Sequence, residues 1–152
     1  MKILDVLIKE AVLVDLKSVD KKGVLEELTA PLTGITQTNR NDLVKILMDR
    51  ERLGSTGIGG GIAIPHGKMR GLKTLILGFG LSRKGVNFES MDNRPSHIFF
   101  LLLTPENSTG VHLKLLARIS KLLKDETVKE RLFHASTPEE VLDIIQDHDE
   151  EF

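Results

Sequence analysis

The sequence contains no cysteine, tryptophan or tyrosine, and it has no excess of charge of either sign. Without cysteine there is no disulfide, no thiolate nucleophile and no thiolate zinc site. The six phenylalanines are the whole aromatic set, so single-stranded nucleic-acid binding by base stacking lacks its usual side chains. With 21 basic and 22 acidic residues the formal net charge is −1. We therefore expect no nucleic-acid partner, and recognition of any other partner by a local surface.

Long hydrophobic runs are also missing. The longest apolar run, from Ile98 to Leu103, is far below the roughly 20 residues that a bilayer-spanning helix needs. The first ten residues, MKILDVLIKE, include acidic side chains and lack an apolar core followed by a small-residue cleavage site. We therefore expect a cytoplasmic protein without a signal peptide and without membrane insertion.

The composition is that of a soluble globular protein. Of the 152 residues, 40% are hydrophobic and 28% are charged, which is enough to bury a sizeable core. No internal repeat, low-complexity tract or interdomain linker is visible. We expect one domain over residues 1–152.

Hydrophobic periodicity in the first third of the chain predicts a strand and two helices. The strand is expected at residues 11–15, and Asp20 is expected to open a helix that Pro31 and Gly34 end. The second helix is expected at about residues 41–53, with Gly54 as its C-terminal stop.

The rest of the chain predicts strands followed by helices. Apolar runs at residues 62–64, 72–81 and 97–103 are bounded by Gly, Pro, Asn or Ser, as is typical of buried strands. A helical stripe covers residues 109–123, and a last helix is expected to begin at Thr137, where Glu140 would complete a capping box. This order predicts an α/β fold, a mixed β-sheet with helices packed on both faces.

The most unusual segment is the glycine-rich stretch at residues 54–68, GSTGIGGGIAIPHGK. A P-loop aligned on its Gly-Lys pair would need glycine at Ile62 and Ser or Thr at Met69. The dinucleotide fingerprint fails as well, because its last glycine would fall on Ile62 or Ile64. Neither nucleotide-binding pattern is present, and we expect no cofactor.

His66 is the candidate nucleophile within this segment. It stands between Pro65, which fixes φ, and Gly67, which allows close approach to the backbone. A neutral imidazole is an available nucleophile near pH 7, and the amide groups of Gly67 and Lys68 are candidates to receive phosphoryl oxygens. The alternative is a turn histidine hydrogen-bonded to solvent or backbone, and the residues alone leave both interpretations open.

Two further residues have a functional and a structural interpretation. Arg50, on the late turn of the second helix, is placed to reach phosphate oxygens, but a helix C-terminus favours arginine in any case. His112 shares a stripe with the apolar residues of its helix and is expected to face inward, where most histidines are simply core residues. The other histidines, His97, His134 and His148, lie in no motif, and the spacing of the five predicts no metal site.

Several segments carry a family resemblance in the same order along nearly the whole chain. They are residues 50–56 (RERLGST), 61–67 (GIAIPHG), 86–88 (VNF), 94–95 (RP), 103–105 (LTP) and 112–117 (HLKLLA). The sequence resembles the type-2 IIA domain of the bacterial phosphoenolpyruvate-dependent sugar phosphotransferase system, in its fructose/mannitol and nitrogen-regulatory branch. One departure is Gly60, which stands where the family often has asparagine and leaves the rigidity of this loop in question.

The resemblance implies specific roles. His66 would accept a phosphoryl group from the phosphocarrier protein HPr, or its nitrogen-branch counterpart, and pass it to a IIB domain. His112 and Arg50 would belong to the same site. The family fold is a mixed sheet covered by helices, and this half-reaction needs neither metal nor nucleotide.

Two functions of different class remain. The first is a phosphoryl carrier for sugar uptake of the fructose/mannitol type. The second is a nitrogen-regulatory module whose His66 phosphorylation state switches binding to regulatory protein targets, suggested by the lack of a fused IIB or membrane IIC segment in the sequence. Ile58 and Met69 are candidates for an exposed apolar docking patch beside the glycine segment.

Overall fold

The computed structural model describes residues 1–149 and contains a six-stranded mixed β-sheet. Residues 150–152, the end of the expected domain, lie outside this range. The elements in chain order are α1 (Ile3–Val6), β1 (Leu7–Leu13), α2 (Lys21–Thr29), α3 (Thr33–Thr36), α4 (Arg40–Glu51), β2 (Gly57–Gly59), β3 (Ile62–Ala63), β4 (His66–Met69), β5 (Ile76–Val86), β6 (Ser96–Pro105), α5 (Thr109–Lys124), α6 (Glu126–Phe133) and α7 (Pro138–His148).

Strand β6 is the centre of the sheet. It pairs antiparallel with β5, whose other edge carries β1 in parallel. On its opposite side β6 pairs in parallel first with β3 and then, further along, with β4. Strand β2 lies antiparallel to β3 and completes the sheet.

Helices cover both faces of the sheet, as the sequence predicts. Phe100 and Leu102 of β6 belong to one apolar core, which α1, α5, α6 and α7 complete. The alternate residues Phe99 and Leu101 belong to a second core, which α2 and α4 complete. Burial on both faces explains why residues 98–103 form a continuous apolar run rather than an alternating one.

Several element boundaries differ from the sequence-based expectations. The first strand occupies Leu7–Leu13 rather than residues 11–15, and β5 is displaced to Ile76–Val86. Helix α2 already ends at Thr29, and the segment at Pro31 continues as a 3₁₀ turn because proline fits the first turn of a new helix. Helix α4 starts earlier than expected, because the side chain of Asn39 accepts a hydrogen bond from the Asp42 amide and caps it.

The last helix confirms half of the predicted capping box. The Thr137 hydroxyl accepts from the Glu140 amide at 3.2 Å, and Pro138 occupies the first turn. The Glu140 carboxylate instead accepts from the hydroxyl of Ser136 at 2.9 Å. Along residues 1–149, none of the helices combines the length and the apolar character that a bilayer crossing requires.

Candidate functional site

His66 is the first residue of strand β4 and does not lie in a turn, which was the alternative interpretation of this histidine. Pairing with Leu102 of β6 places His66 on the sheet face that α5 covers, because side chains of paired residues share a face. The next residue, Gly67, belongs to the opposite face. A Cβ added there would lie 2.6 Å from Cγ2 of Ile46 on α4. Gly67 therefore allows α4 to pack closely against β4.

A backbone carbonyl fixes the orientation of the His66 ring. Nδ1 lies 2.8 Å from the carbonyl oxygen of Ile64. A carbonyl oxygen only accepts hydrogen bonds, so Nδ1 carries the proton and donates it. In the neutral ring the lone pair then belongs to Nε2.

His112 meets His66 from helix α5. It lies in the first turn of that helix and is 8% exposed, which confirms the expected inward direction. The two imidazole rings are perpendicular, with an interplanar angle of 81° and centroids 5.1 Å apart. The structure therefore brings together two histidines that are separated by 46 residues in the sequence.

Arg50 reaches the same place from the last turn of α4. Its Nη1 donates a hydrogen bond to the carbonyl oxygen of Gly54 at 3.0 Å. The histidines and this arginine border an open cavity of about 470 Å³. The lining residues are Ile46, Asp49, Arg50, Leu53, His66, Gly67, Lys68 and His112.

Burial and nearby positive charge favour the neutral form of both histidines. Burial is the main cause that lowers the pKa of His66, and the Arg50 charge lowers it further, against the opposite effects of the Ile64 hydrogen bond and the Glu51 charge. Burial also lowers the pKa of His112, with smaller contributions from His66 and Lys68. Both imidazoles therefore stay unprotonated at lower pH than an ordinary histidine.

Lys68 shares the cavity but is exposed. The Leu102 amide donates to the Pro65 carbonyl at 2.9 Å, so the backbone of Pro65 faces β6. Along a strand every second residue bonds to the same neighbouring strand. By this alternation Gly67 bonds towards β6, whereas the main-chain N–H of Lys68 points away from it. Of the two backbone groups singled out in the sequence, the Lys68 amide is thus the one directed away from the sheet.

The glycine loop before His66 is held without the side chain of an asparagine. Gly59, Gly60 and Gly61 all have positive φ, at 95°, 67° and 82°. The amide of Gly60 donates to the carboxylate of Asp92 at 3.0 Å. Asp92 thus anchors the loop from the segment between β5 and β6.

The exposed apolar residues near the site are not the expected pair. Ile58 is 48% exposed, as predicted, whereas the expectation for Met69 is wrong, because it is 6% exposed and belongs to the core that α2 and α4 complete. Leu53, which lines the cavity, is 83% exposed, and Leu113, next to His112 in the chain, is 61% exposed. Leu113 lies outside the apolar stripe of its helix, a signal that the sequence already contains.

The remaining histidines belong to other parts of the molecule. His97 Nδ1 lies 2.8 Å from the Ser82 carbonyl and its ring packs edge-on against Phe133. His134 lies 2.8 Å from the Glu130 carboxylate and His148 contacts Arg131 at 2.9 Å. Across the described residues 1–149, no three acidic or histidine side chains gather as a metal site would require.

Comparison with known proteins places this geometry in a family. Residues 5–148 match the family model described as "Phosphoenolpyruvate-dependent sugar phosphotransferase system, EIIA 2". A nitrogen regulatory protein of Bradyrhizobium diazoefficiens is 42% identical over 132 residues, which are 87% of this chain and 86% of the relative. A fructose-specific EIIABC component of Bacillus subtilis is 35% identical over 98% of this chain, but the chain spans only 24% of that relative's length.

Solved structures agree with the sequence comparison. The crystal structure of the nitrogen regulatory protein IIA-Ntr from Neisseria meningitidis has a TM-score of 0.88 at 35% identity, covering 93% of this chain and 97% of that one. A complex of enzyme IIA-mannitol with phosphorylated enzyme IIB-mannitol from Escherichia coli has a TM-score of 0.75 at 22% identity, covering 91% and 95%, and supports the fold. The chain belongs to the EIIA 2 family of the phosphoenolpyruvate-dependent sugar phosphotransferase system.

Proposed function

We propose that the chain accepts a phosphoryl group on Nε2 of His66 from an HPr-type phosphocarrier protein and donates it to a IIB component. The observation that carries this proposal is the hydrogen bond from Nδ1 to the Ile64 carbonyl. It leaves the lone pair of the ring on Nε2, in a cavity shared with Arg50, Lys68 and His112. IIA domains of this family are phosphotransferase components in general. Our proposal adds that Nε2 of His66 is the acceptor atom.

The transfer exchanges one nitrogen–phosphorus bond for another. The Nε2 lone pair of neutral His66 attacks the phosphorus of the carrier's phosphohistidine, whose nitrogen–phosphorus bond breaks as the new bond forms. The electron pair of the broken bond returns to the carrier's imidazole, which leaves as a neutral ring because its other nitrogen carries a proton. The proton on Nδ1 of His66 stays in place, so the positive charge passes to the phosphorylated His66 ring, beside the Ile64 carbonyl. Such transfer depends mainly on positioning and on stabilising charge on the phosphoryl oxygens.

Three groups in the cavity suit this charge. The Arg50 guanidinium offers a planar fork of N–H donors, and Lys68 supplies a positive charge together with an outward-directed amide. Burial lowers the pKa of His112 and so favours its neutral form, which can donate one ring N–H to a phosphoryl oxygen. Onward transfer to a IIB component uses the same atoms in reverse order.

Labelling by the phosphorylated carrier tests the proposal. The wild-type chain should acquire one acid-labile phosphoryl group and pass it to a IIB protein, and His66→Ala should acquire none. His134→Ala is the matched control, because His134 is an exposed histidine elsewhere, paired with Glu130, and this variant should be labelled normally. Retained labelling of His66→Ala would disprove the assignment.

A regulatory function is the second candidate. The Bradyrhizobium relative, matched over 86% of its length, and the Neisseria structure, covered to 97%, are both named nitrogen regulatory proteins, which favours a module whose phosphorylation state switches binding to protein targets. A pull-down with the unphosphorylated and the phosphorylated chain distinguishes the two functions. Different partner sets support the switch, whereas equal sets and efficient transfer to a IIB protein support the carrier in sugar uptake.

A further inference from the structure

Glu51, the residue after Arg50, carries a buried carboxylate that phosphoryl transfer itself does not use. Its side chain is 2% exposed. A carboxylate at such depth is costly unless it is paired and hydrogen-bonded. The groups that pair with the Glu51 carboxylate therefore indicate its structural role.

These partners come from two other parts of the chain. The Thr56 amide donates to the two carboxylate oxygens of Glu51 at 3.2 and 3.3 Å, and the Thr56 hydroxyl donates to Oε2. From the start of α2, Lys21 Nζ lies 2.9 Å from Oε1. Glu51 thus fastens Thr56 and α2 to the end of α4.

Lys21 is a permanent part of this cluster. Its Nζ also pairs with the exposed carboxylate of Glu89 at 3.1 Å and lies 5.0 Å from the centre of the Phe88 ring. Burial lowers the pKa of Lys21, but the hydrogen bonds to Glu51 and Glu89 outweigh it and raise the pKa. Lys21 therefore keeps its positive charge to higher pH than an ordinary lysine.

The turn between Glu51 and Thr56 has little packing of its own. Gly54 is exposed and has a φ of 139°, and an added Cβ would meet no atom of the described chain within 4 Å. The turn is held at one end by the Gly54 amide, which donates to the Glu51 carbonyl at 3.0 Å. At the other end it is held by Thr56 and by the Ser55 hydroxyl, which donates to the Phe88 carbonyl at 3.0 Å. The Gly54 carbonyl is the group to which Arg50 donates.

We propose that Glu51 is a positioning residue for phosphoryl transfer: its carboxylate fixes Thr56, and the turn held in this way keeps the Arg50 guanidinium beside His66. Without the carboxylate the Gly54 carbonyl shifts, and the long Arg50 side chain samples other rotamers. A misplacement of about 1 Å in a reacting site can reduce a rate by a factor on the order of 100. Glu51 itself touches no phosphoryl oxygen.

Matched charge removals test this role, which rests on the proposed function because the rates need the phosphorylated carrier. Glu51→Gln and Glu89→Gln each remove one carboxylate from Lys21, and each leaves Lys21 the other one. We expect Glu51→Gln to slow transfer by about 10- to 100-fold and Glu89→Gln to leave it unchanged. In an Arg50→Ala background, Glu51→Gln should cause no further loss, because its effect passes through Arg50.

A second pair of variants covers the case in which Glu51→Gln fails to fold. Thr56→Ser keeps the hydroxyl that bonds to Glu51 and should transfer at the wild-type rate. Thr56→Val removes the hydroxyl at similar volume and should slow transfer, again only while Arg50 is present. The Nε–H signal of Arg50 in nitrogen-15 NMR gives a readout that needs no carrier: a single ordered signal in wild type, and an averaged one in Glu51→Gln or Thr56→Val.

The outcomes separate the two proposals. Equal slowing with and without Arg50, slowing by Glu89→Gln, or an unchanged rate and Arg50 signal in Thr56→Val would overturn the positioning role. Absence of any label on the wild-type chain would instead contradict the proposed function, and the Arg50 signal would still decide the role of Glu51.

Discussion

A single backbone hydrogen bond determines which ring nitrogen of His66 carries the proton and which one has the free lone pair. The segment around it in the sequence contains the residue types for phosphoryl transfer, and the family resemblance points to His66, His112 and Arg50. The bond from Nδ1 to the Ile64 carbonyl, and with it the choice of Nε2, depends on the backbone conformation of the link between β3 and β4, which residue types alone do not specify. The burial of the Glu51 carboxylate could not be predicted either, since its charged partner Lys21 comes from a distant helix.

The lowered pKa values of His66 and His112 predict the pH dependence of stability. The unfolded histidines take up protons near pH 6.5, whereas the folded ones do so at lower pH. As pH falls below about 6.5, the unfolded state therefore binds more protons and the free energy of unfolding decreases. Ring titration by NMR should give midpoints for both residues below that value.

Urea unfolding supplies the control for this prediction. His66→Gln removes one of the two titrating rings, so its free energy of unfolding should fall less than that of wild type over the same pH interval. A decline equal to that of wild type would contradict the assigned cause.

The Arg50 fork predicts an ordered series of rates. Arg50→Ala should slow phosphoryl transfer to His66 by a factor on the order of 100, as for the loss of one charge-stabilising donor. Arg50→Lys keeps the positive charge but loses the planar fork, so its transfer rate should lie between those of wild type and Arg50→Ala. Single-turnover transfer from the carrier measures the series, and a Lys variant as slow as the Ala variant would show that charge alone contributes little.

Among the elements, long periodic helices were predictable and short strands were not. The stripe of α5 and the cap of α7 are local signals. Strands β2 and β4 have three and four residues and are defined by their partners in the sheet rather than by a pattern of their own. The expected reason for Gly67 also changes, from approach of another molecule to the packing of α4.

The close contact between α4 and β4 predicts that a methyl group added at Gly67 destabilises the fold. Gly67→Ala places a Cβ 2.6 Å from Cγ2 of Ile46 and should lower the free energy of unfolding by about 1–3 kcal/mol. In an Ile46→Ala background, which lacks Cγ2, the added methyl should cost less. Chemical denaturation of the four proteins of this cycle measures the difference, and an equal cost in both backgrounds would contradict the contact.

The glycine loop predicts opposite results for two substitutions at Gly60. Its φ of 67° lies in the left-handed region that asparagine tolerates, and an added Cβ approaches only the flexible end of Lys129, at 3.3 Å. Gly60→Asn should therefore change the free energy of unfolding by less than about 0.5 kcal/mol, while Gly60→Val should lower it by about 1–2 kcal/mol. Equal losses in thermal unfolding would show that space rather than φ restricts this position.

For the whole molecule, the fold class followed from the order of elements, because a block of buried strands flanked by amphipathic helices allows few arrangements. The assembly of the site did not follow, since it needs β4 placed between α4 and α5. The net charge of −1 implies that attraction to a carrier comes from a local surface. That surface combines the cations Arg50 and Lys68 with the exposed Leu53 and Leu113.

A charge placed on this surface should weaken carrier binding. Leu113→Glu puts a carboxylate next to His112 on α5, and we expect KM for the phosphorylated carrier to rise at least tenfold, on the order of one lost interface anchor, with little change in stability. Val19→Glu is the control, because Val19 is 58% exposed and, unlike Leu113, is not next in the chain to a residue that lines the cavity. Equal kinetics for both variants would place the carrier elsewhere.

The central claim is that Nε2 of His66 is the phosphoryl acceptor. Nitrogen-15 and phosphorus-31 NMR of the histidine-labelled chain, recorded after incubation with the phosphorylated carrier, identifies the nitrogen that bears phosphorus. The account predicts one phosphoryl group on Nε2 of His66, with the Nδ1 proton still bonded to the Ile64 carbonyl. A phosphoryl group on Nδ1 of His66, or on either nitrogen of His112, would contradict it.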